Sequence, residues 1–384
     1  MRSKCKVCGI IVLALMTAFF IGCGNKNTGD STGPSGQIDP TVNWPAGLQA
    51  SFGDTLSDIT LPGNGTGTAG AFTWVTPGNN VGNVGLQSHS MRFTPNDTAT
   101  YNIKTQNVQL EVSWVSMVWV EAGTFTMGKD IWGGYHEVDV TFTNGFYMGK
   151  YLVTQGLYEE VMGENPSCFT AANDRPPETG ETDAKRPVEM VNWYHAIAFC
   201  NRLSILEGLT PVYSIVGISN TNADAWLHSE VPLSCDTAWN AVTAEWSENG
   251  YRLPTDAQWE FAAKGGNKSM GYKYSGSNNA NEVAWYSNNS GGKTREVGNK
   301  APNELGIYDM SGNVSEWCWD LYNIYPECAQ TDYTGPNTGK FGYDIRVIRG
   351  GSWDLPIDFM ESVSRTYTDP ADHTTYIGFR LVRR

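Results

Sequence analysis

The chain has 384 residues, of which 40% are hydrophobic and 12% aromatic, and this content supports packed cores and excludes wholesale disorder. A chain of this length is expected to form two or more domains, and its 42 glycines and 14 tryptophans favour a loop-rich β or α+β protein over a helical bundle. The formal net charge of −14 argues against nucleic acid as a partner, because the phosphate backbone would be repelled.

The N-terminus has the layout of a secretory signal. Basic residues precede the apolar run 10–21, which is too short to span a bilayer comfortably. The run ends at Cys23 in a sequence that resembles a lipobox, with Phe20 in place of the usual leucine. We predict a lipoprotein signal peptide over 1–23, lipidation at Cys23 and a flexible tether over 24–39. The protein would be anchored to a bacterial membrane in the cell envelope, facing the periplasm or the cell surface; the alternative is an ordinary signal peptide cut nearby.

The cysteines do not indicate a disulfide framework. Five follow Cys23, and both their odd number and their irregular spacing argue against one, although an oxidising compartment would allow one or two bridges. They are Cys168, Cys200, Cys235, Cys318 and Cys328.

Residues 40–113 carry the short alternating runs of a small β domain. Examples are 70–75, 90–94 and 108–113, with Gly- and Pro-rich turn signals between the runs. This spacing predicts an immunoglobulin-like sandwich. No cluster of acids, histidines or cysteines falls here, so we expect a spacer that lifts the following domain off the membrane.

The second predicted unit, 117–384, mixes strands and helices. Its pattern predicts an early strand over 117–127, then helices over 154–162, 193–206 and 256–264, with a capping threonine at the start of the first and last of these. Loops and short strands fill the remainder.

Seven sequence blocks in this unit resemble, in order, those of the formylglycine-generating-enzyme or sulfatase-modifying-factor family. They are 120–128, 146–155, 186–193, 251–260, 306–317, 349–353 and 378–381. The resemblance implies an α+β, C-type-lectin-like fold with little regular secondary structure. Arg252, Trp259, Glu260 and Trp317 in these blocks are interpreted as buried anchors that order long loops.

The residues that perform the family's chemistry are replaced. Members of the family oxidise a substrate cysteine with two copper-binding cysteines just after the Gly-Gly-Ser block. Matching that pattern to 350–353 puts Leu355 and Met360 at the two positions, and no cysteine follows Cys328. The chain is therefore predicted to lack the oxidase activity and to have no use for copper. A formylglycine-generating oxidase or sulfatase-maturation enzyme remains the alternative.

An iron site is also disfavoured. A sister branch of iron-dependent sulfoxide synthases uses three histidines, but the histidines here are scattered, without an HxH or HxxxH pair. They are His89, His136, His195, His228 and His373.

The family's calcium site has a counterpart in this sequence. The resemblance assigns it to Asp309, Gly312, Val314 and Glu316, through two side chains and two backbone carbonyls. Oxygen ligands around a tight turn suit a hard cation, so structural calcium is predicted. In the alternative, Glu316 pairs with an arginine and the turn holds no ion.

Two patches after Trp353 follow neither a helical nor a strand period. They resemble the C-terminal variable region of proteins diversified by retroelements, among which the Treponema variable lipoprotein type uses this same scaffold. The resemblance implies an exposed ligand-binding face. Its predicted residues are Asp354, Leu355, Pro356, Ile357, Asp358, Phe359, Tyr367, Asp369, Asp372, His373 and Tyr376. In the alternative these are ordinary family loops, with the apolar residues half-buried.

The sequence therefore predicts a non-catalytic cell-envelope lipoprotein. Its lectin-like domain would bind a protein or glycan ligand, with calcium as a structural cofactor. A purely structural envelope protein is a further alternative.

Overall fold

The computed structural model describes residues 36–129 and 137–384. The predicted signal peptide, Cys23 and most of the tether lie outside the described residues, as does His136. Within the part of the chain that is described, no helix is both long and apolar enough to cross a membrane.

Residues 36–116 form a small β unit. Its strands are β1 (Leu48–Ser51), β2 (Gly70–Trp74), β3 (Gly85–Pro95) and β4 (Lys104–Ser113). They form one sheet in the order β1-β4-β3-β2, in which only the β1–β4 pair is parallel. Alternate side chains such as Phe72, Met91 and Leu110 are buried on one face. No second sheet is found among the strands described between residues 36 and 116, so the immunoglobulin-like sandwich stays a prediction.

The remainder of the chain mixes short strands and helices. The strands are β5 (Met117–Val120), β6 (Thr124–Met127), β7 (Val138–Thr141), β8 (Phe146–Gly149), β9 (Tyr213–Ser214), β10 (Thr243–Ala244), β11 (Ala284–Trp285), β12 (Ser311–Gly312), β13 (Ser315–Leu321), β14 (Gln330–Thr331), β15 (Arg346–Arg349), β16 (Arg365–Thr368), β17 (Ile377–Gly378) and β18 (Val382–Arg383). The helices are α1 (Gln155–Met162), α2 (Trp193–Leu206), α3 (Thr237–Asn240), α4 (Asp256–Ala263) and α5 (Ala280–Val283). The larger sheets have the orders β16-β15-β13-β17, β14-β7-β6 and β18-β8-β5. This is the mixed α+β arrangement that the sequence predicts.

The helices begin at the predicted capping residues. The Thr154 side chain accepts a hydrogen bond from the Leu157 amide at 3.3 Å, and Thr255 accepts one from the Gln258 amide at 3.1 Å. Helix α1 ends at Gly163, whose φ of 89° lies in the left-handed region that favours glycine. Local sequence therefore fixes the ends of these helices.

The prediction of one continuous strand over 117–127 is wrong. It is two strands, of which β5 pairs with β8 and β6 pairs with β7. Between them, the carbonyl of Gly123 accepts a hydrogen bond from the Phe142 amide at 2.8 Å. Pairing with two different sheets breaks the run, because one uninterrupted strand could not join both.

Buried anchors hold the loops of the C-terminal unit. Trp259, Glu260 and Trp317 are fully buried and Arg252 is nearly so, which confirms their predicted role as scaffold. The indole of Trp317 donates to the Val191 carbonyl at 3.0 Å. Two apolar clusters surround them, one centred on α2 and the other on α4 and strands β5–β8.

Candidate functional site

The sheet β16-β15-β13-β17 supports both predicted patches. Strand β16 is antiparallel to β15, whereas β17 is parallel to β13. The first patch lies in the connection 350–364, where Ile357–Met360 form a 3-10 turn, and the second begins at Tyr367 within β16 and continues through the connection 369–376. Because β16 and β17 run in the same direction, the second connection crosses the sheet and returns to the end where the first connection begins.

Trp353 joins the two patches. Its indole nitrogen donates a hydrogen bond to the Thr375 carbonyl at 2.9 Å, and its ring packs edge-on against Phe169 at 5.1 Å. Its own carbonyl accepts from the Ser290 hydroxyl at 2.8 Å. In the sequence this tryptophan is recognisable only as part of a family block, but in the structure it fixes the relative position of the patches.

Most of the predicted face is exposed. The exposed residues are Asp354, Pro356, Asp358, Phe359, Tyr367, Asp372, His373 and Tyr376. Among the aromatic residues, Phe359 is 47% exposed, Tyr367 45% and Tyr376 36%. Aromatic side chains with this much accessible surface can contact a partner without rearrangement of the core.

Three predicted residues are only partly exposed: Leu355, Ile357 and Asp369. Leu355 and Ile357 pack against the apolar cluster around Met360, so for these two the half-buried alternative describes their surroundings. The cavity beside Leu355 and Phe359 has a volume of only about 30 Å³, which is room for little more than water. A ligand of this face would therefore rest on its surface.

The second patch is held by local hydrogen bonds and by one distant residue. Asp369 accepts from the Ala371 amide at 2.9 Å, and the Thr368 hydroxyl bonds to the Asp372 carboxylate. Cys235 lies with its thiol 3.1 Å from the Asp369 carboxylate. This hydrogen bond, together with burial, raises the pKa of Cys235 to about 11. Sequence reasoning missed Cys235 because no local pattern joins residues so far apart in the chain.

Buried ion pairs hold the sheet beneath the face. Arg349 pairs with Asp256 and, at 2.7 Å, with Glu260, and all three side chains are almost fully buried. Arg380 donates to both carboxylate oxygens of Glu316 at 2.6 and 2.8 Å, and neither side chain is exposed. Paired charges of this kind are stable in an apolar interior, whereas either partner alone would be costly.

An apolar cluster contains Leu355 and Met360, the two residues that the sequence pattern matches to the family's copper-binding cysteines. Met360 is fully buried with Tyr274 and Tyr286, and Leu355 packs against the same cluster. A Cβ atom at Gly351 would lie 2.7 Å from the Phe359 carbonyl oxygen, and the φ of 71° also favours glycine, so glycine is required for this close packing. Leu355 has no donor atom, and Met360 offers only a buried thioether, which cannot form a redox thiol pair. These residues do not fit a copper centre.

The four predicted calcium ligands surround a tight turn, but their side chains already have partners. The Asp309 carboxylate accepts from the Gly298 amide at 2.7 Å, and burial raises its pKa to about 6. Glu316 is paired with Arg380, as the alternative interpretation has it. Gly312 has a φ of 82°, and Val314 is buried. Among residues 36–129 and 137–384, no three His, Cys, Asp or Glu side chains are grouped as a metal site. Calcium here stays a prediction.

Two of the histidines come together without forming a metal site. The rings of His195 and His228 stack with centroids 4.1 Å apart. Burial and the neighbouring His228 lower the pKa of His195 to about 2, so it stays neutral. His228 bonds to the Tyr158 hydroxyl and to Glu164, at 2.8 and 3.0 Å, and His373 is exposed in the second patch.

The comparisons with known proteins agree on one family. The sulfatase-modifying factor enzyme 1-like domain matches residues 103–384. Chaperone protein LppX of Paenibacillus barcinonensis is 41% identical over 262 residues, which cover 64% of this chain and 81% of that protein. The formylglycine-generating enzyme of Mus musculus is 26% identical over 293 residues, 69% of this chain and 74% of the enzyme. Among solved structures, Treponema denticola variable protein 1 aligns with a TM-score of 0.63 and 36% identity, over 77% of this chain and 99% of that one.

Proposed function

Because the chain belongs to the sulfatase-modifying factor enzyme 1-like family, we propose that it is a member that binds a ligand instead of oxidising a substrate cysteine. One observation carries this proposal. The two positions of the family's active cysteines hold Leu355 and Met360, which pack in an apolar cluster, while most side chains around them point to solvent. In this proposal the scaffold is kept, and the reactive centre is replaced by an apolar cluster beneath an exposed face.

The ligand would be a protein or a glycan, and the face would be a C-type-lectin-like surface whose residues are diversified. The likeness to Treponema denticola variable protein 1 supports this proposal. The shallow relief beside Phe359 supports a macromolecular ligand over an enclosed small molecule, because a small molecule is usually held in a cavity of several hundred Å³.

The remaining parts would present this face outside the cell membrane. Cys23 would carry the lipid anchor, the tether would give reach, and the unit at 36–116 would be the immunoglobulin-like stalk. Mass spectrometry of the mature protein tests the anchor. A diacylated cysteine at its N-terminus is expected, and an unmodified N-terminus elsewhere would remove the anchor from the proposal.

Binding at the face is tested by screening the full chain against glycan and peptide arrays. A saturable partner should be lost on Phe359→Ser and Tyr376→Ser. Tyr147→Ser is the matched control, since Tyr147 is 37% exposed on a different sheet, close to the 36% of Tyr376. A partner that tolerates both face substitutions, or no partner at all, would favour the structural envelope alternative.

The oxidase alternative has its own measurement. The purified chain should contain no copper and consume no oxygen with a cysteine peptide, since Leu355 cannot ligate copper. Stoichiometric copper with thiol-dependent oxygen consumption would overturn the proposed function.

Diversification of the face is tested in the genome. A reverse-transcriptase gene and a near-copy of codons 349–384 that differs mainly at adenines are expected near this gene.

We propose structural calcium at the predicted ligands, and the test is whether the ion stabilises the fold. If Asp309 and Glu316 bind the ion in solution, a chelator should lower the Tm and calcium should co-purify. An unchanged Tm without bound calcium would leave Arg380 as the partner of Glu316 and exclude calcium from these residues.

A second candidate function is that of an extracytoplasmic chaperone, which the likeness to LppX favours. The exposed Phe359 and Tyr367 could contact apolar segments of an unfolded client. Suppression of aggregation of a denatured secreted enzyme tests this. Suppression that is lost in Phe359→Ser but kept in Tyr147→Ser would support a chaperone acting through this face.

A further inference from the structure

A large cleft separates the N-terminal β unit from the C-terminal unit. It consists of two adjoining cavities of about 630 and 520 Å³. Both are lined by Ser51, Asp54 and Asp58 on one side and by Tyr151 on the other, so they form one continuous space. The family match begins at residue 103, and the wall that includes these acidic residues therefore lies outside the family domain. This volume is in the range of protein binding sites.

One wall of the cleft is the free edge of a sheet. Strand β1 is the outermost strand, and residues 47–51 line the smaller cavity consecutively. The Phe52 amide donates to the Ser113 carbonyl of β4 at 2.8 Å, whereas the Ser51 amide turns the other way and donates to Asp54 at 2.8 Å. In a parallel ladder alternate residues point in the same direction, so the N–H and C=O of Gln49 point away from β4. Gln49 lines the smaller cavity together with its cross-strand partner Glu111. Such an edge can pair with an added strand.

Acidic side chains of the N-terminal unit line the cleft next to β1. Asp54, Asp58 and Glu111 line it, against Lys150 and Lys185. Lys185 already pairs with Asp58 at 3.3 Å, which bridges the two units. Lys150 lies over the ring of Tyr151, 5.2 Å from its centroid.

Asp54 is the carboxylate best placed to receive an incoming cation. Its one hydrogen bond to the Ser51 amide uses Oδ2, and no cation of the described residues lies within ion-pair distance of it. Burial raises its pKa and the nearby Asp58 acts in the same direction, whereas Lys185 and Lys150 act against it. A basic side chain within ion-pair distance would favour the charged carboxylate.

We propose that this cleft binds an extended peptide segment that pairs with the free edge of β1 at Gln49 and places a basic side chain beside Asp54. The backbone of Gln49 supplies one donor and one acceptor to the added strand. The acidic wall selects a lysine or arginine in the peptide. Trp114 and Tyr151 line the same cleft and offer aromatic surface to the remaining side chains. The site is independent of the face around Phe359.

The probe is a short acetylated peptide of alternating valine and lysine, titrated into the full chain by calorimetry at low salt. The same peptide with glutamate in place of lysine should not bind. The lysine peptide with N-methylated backbone amides should bind more weakly, because it cannot donate to the Gln49 carbonyl. Equal binding of the lysine and glutamate peptides would overturn the proposal.

Two variants locate the site. Gln49→Pro removes the amide that points away from β4 while leaving the ladder to β4, and it should weaken binding about fivefold. Asp54→Asn keeps an acceptor for Ser51 but removes the charge, and it should weaken binding by a factor of about three to five and reduce its salt dependence. The matched control is Asp97→Asn, an exposed aspartate of the same unit that also accepts from nearby backbone amides. Wild-type affinity in both Gln49→Pro and Asp54→Asn, or a loss as large in Asp97→Asn, would contradict the assignment to this cleft.

Discussion

Phe359 and Met360 are adjacent in the chain, but they belong to two different regions of the molecule. Phe359 is 47% exposed on the proposed binding face, whereas Met360 is fully buried in an apolar cluster with Tyr274 and Tyr286. The same contrast separates exposed Tyr376 from buried Arg380. Substitutions in the buried sheet β16-β15-β13-β17 and the cluster around Met360, together called the support, should therefore cost more stability than substitutions on the exposed face. The face could then change its residues without loss of the fold.

The largest effect is expected in the support. Arg380→Met would leave the buried Glu316 carboxylate without its cation and lower the free energy of unfolding by about 3–5 kcal/mol. Urea denaturation at neutral pH measures this. The double variant Glu316→Leu with Arg380→Met should recover much of the loss, because no charge then remains unpaired. A single-variant loss below about 1 kcal/mol would contradict the importance given to this pair.

A second pair of variants compares the contributions of Phe359 and Met360 to stability. Met360→Ala should cost about 2–4 kcal/mol, because it opens a cavity beside Tyr274 and Tyr286. Phe359→Ala should change stability by less than about 0.5 kcal/mol. Both are measured by chemical denaturation under one set of conditions. Similar losses at the two positions would mean that the face and its support are not separable.

Glu189 lies beneath the face, and its carboxyl group should make the stability of the fold depend on pH. Its carboxylate accepts from the Phe169 amide at 2.7 Å, and burial raises its pKa from 4.5 to about 7. The folded state therefore favours the protonated acid, and stability should fall as the pH rises from about 4.5 to 7. Glu189→Gln should remove this fall and gain about 2–3 kcal/mol relative to wild type at pH 8. The exposed Glu159→Gln is the control; an identical pH profile for Glu189→Gln and wild type would contradict the raised pKa.

The smallest effect on stability is expected at Tyr376. Its carbonyl accepts from the Ser315 amide at 2.8 Å, and this backbone contact does not depend on the side chain. Tyr376→Ser should therefore change the free energy of unfolding by less than about 0.5 kcal/mol while it abolishes ligand binding. Thermal denaturation and the array experiment together measure both. A large loss of stability would place Tyr376 in the support instead.

Local patterns in the sequence predicted much of the support. Capping residues such as Thr154 and Thr255 act over three residues, and the helices begin where they indicate. Trp259 and Trp317 were recognisable as anchors from their family blocks, and both are fully buried. The absence of a regular period predicted loops for both patches, but Ile357–Met360 form a 3-10 turn and Tyr367 lies in β16.

Features that join distant parts of the chain could not be predicted in this way. The contact of Cys235 with Asp369 links residues with no shared pattern, and the break between β5 and β6 depends on which strands they meet. The partial burial of Leu355 and Ile357 depends on the cluster that they share with Met360. The cleft beside Asp54 arises only when the two units are placed side by side. These features depend on tertiary contacts, which a single sequence does not contain.

The hydrogen bond from Trp353 to Thr375 has a consequence for how the two patches could evolve. Its acceptor is a backbone carbonyl, which every amino acid supplies, so substitutions at 375 and around it leave the bond intact. An insertion or deletion between β16 and β17 would instead carry that carbonyl out of reach of the indole. Lineages of this protein should therefore differ in the identity of the residues in the second patch while conserving its length.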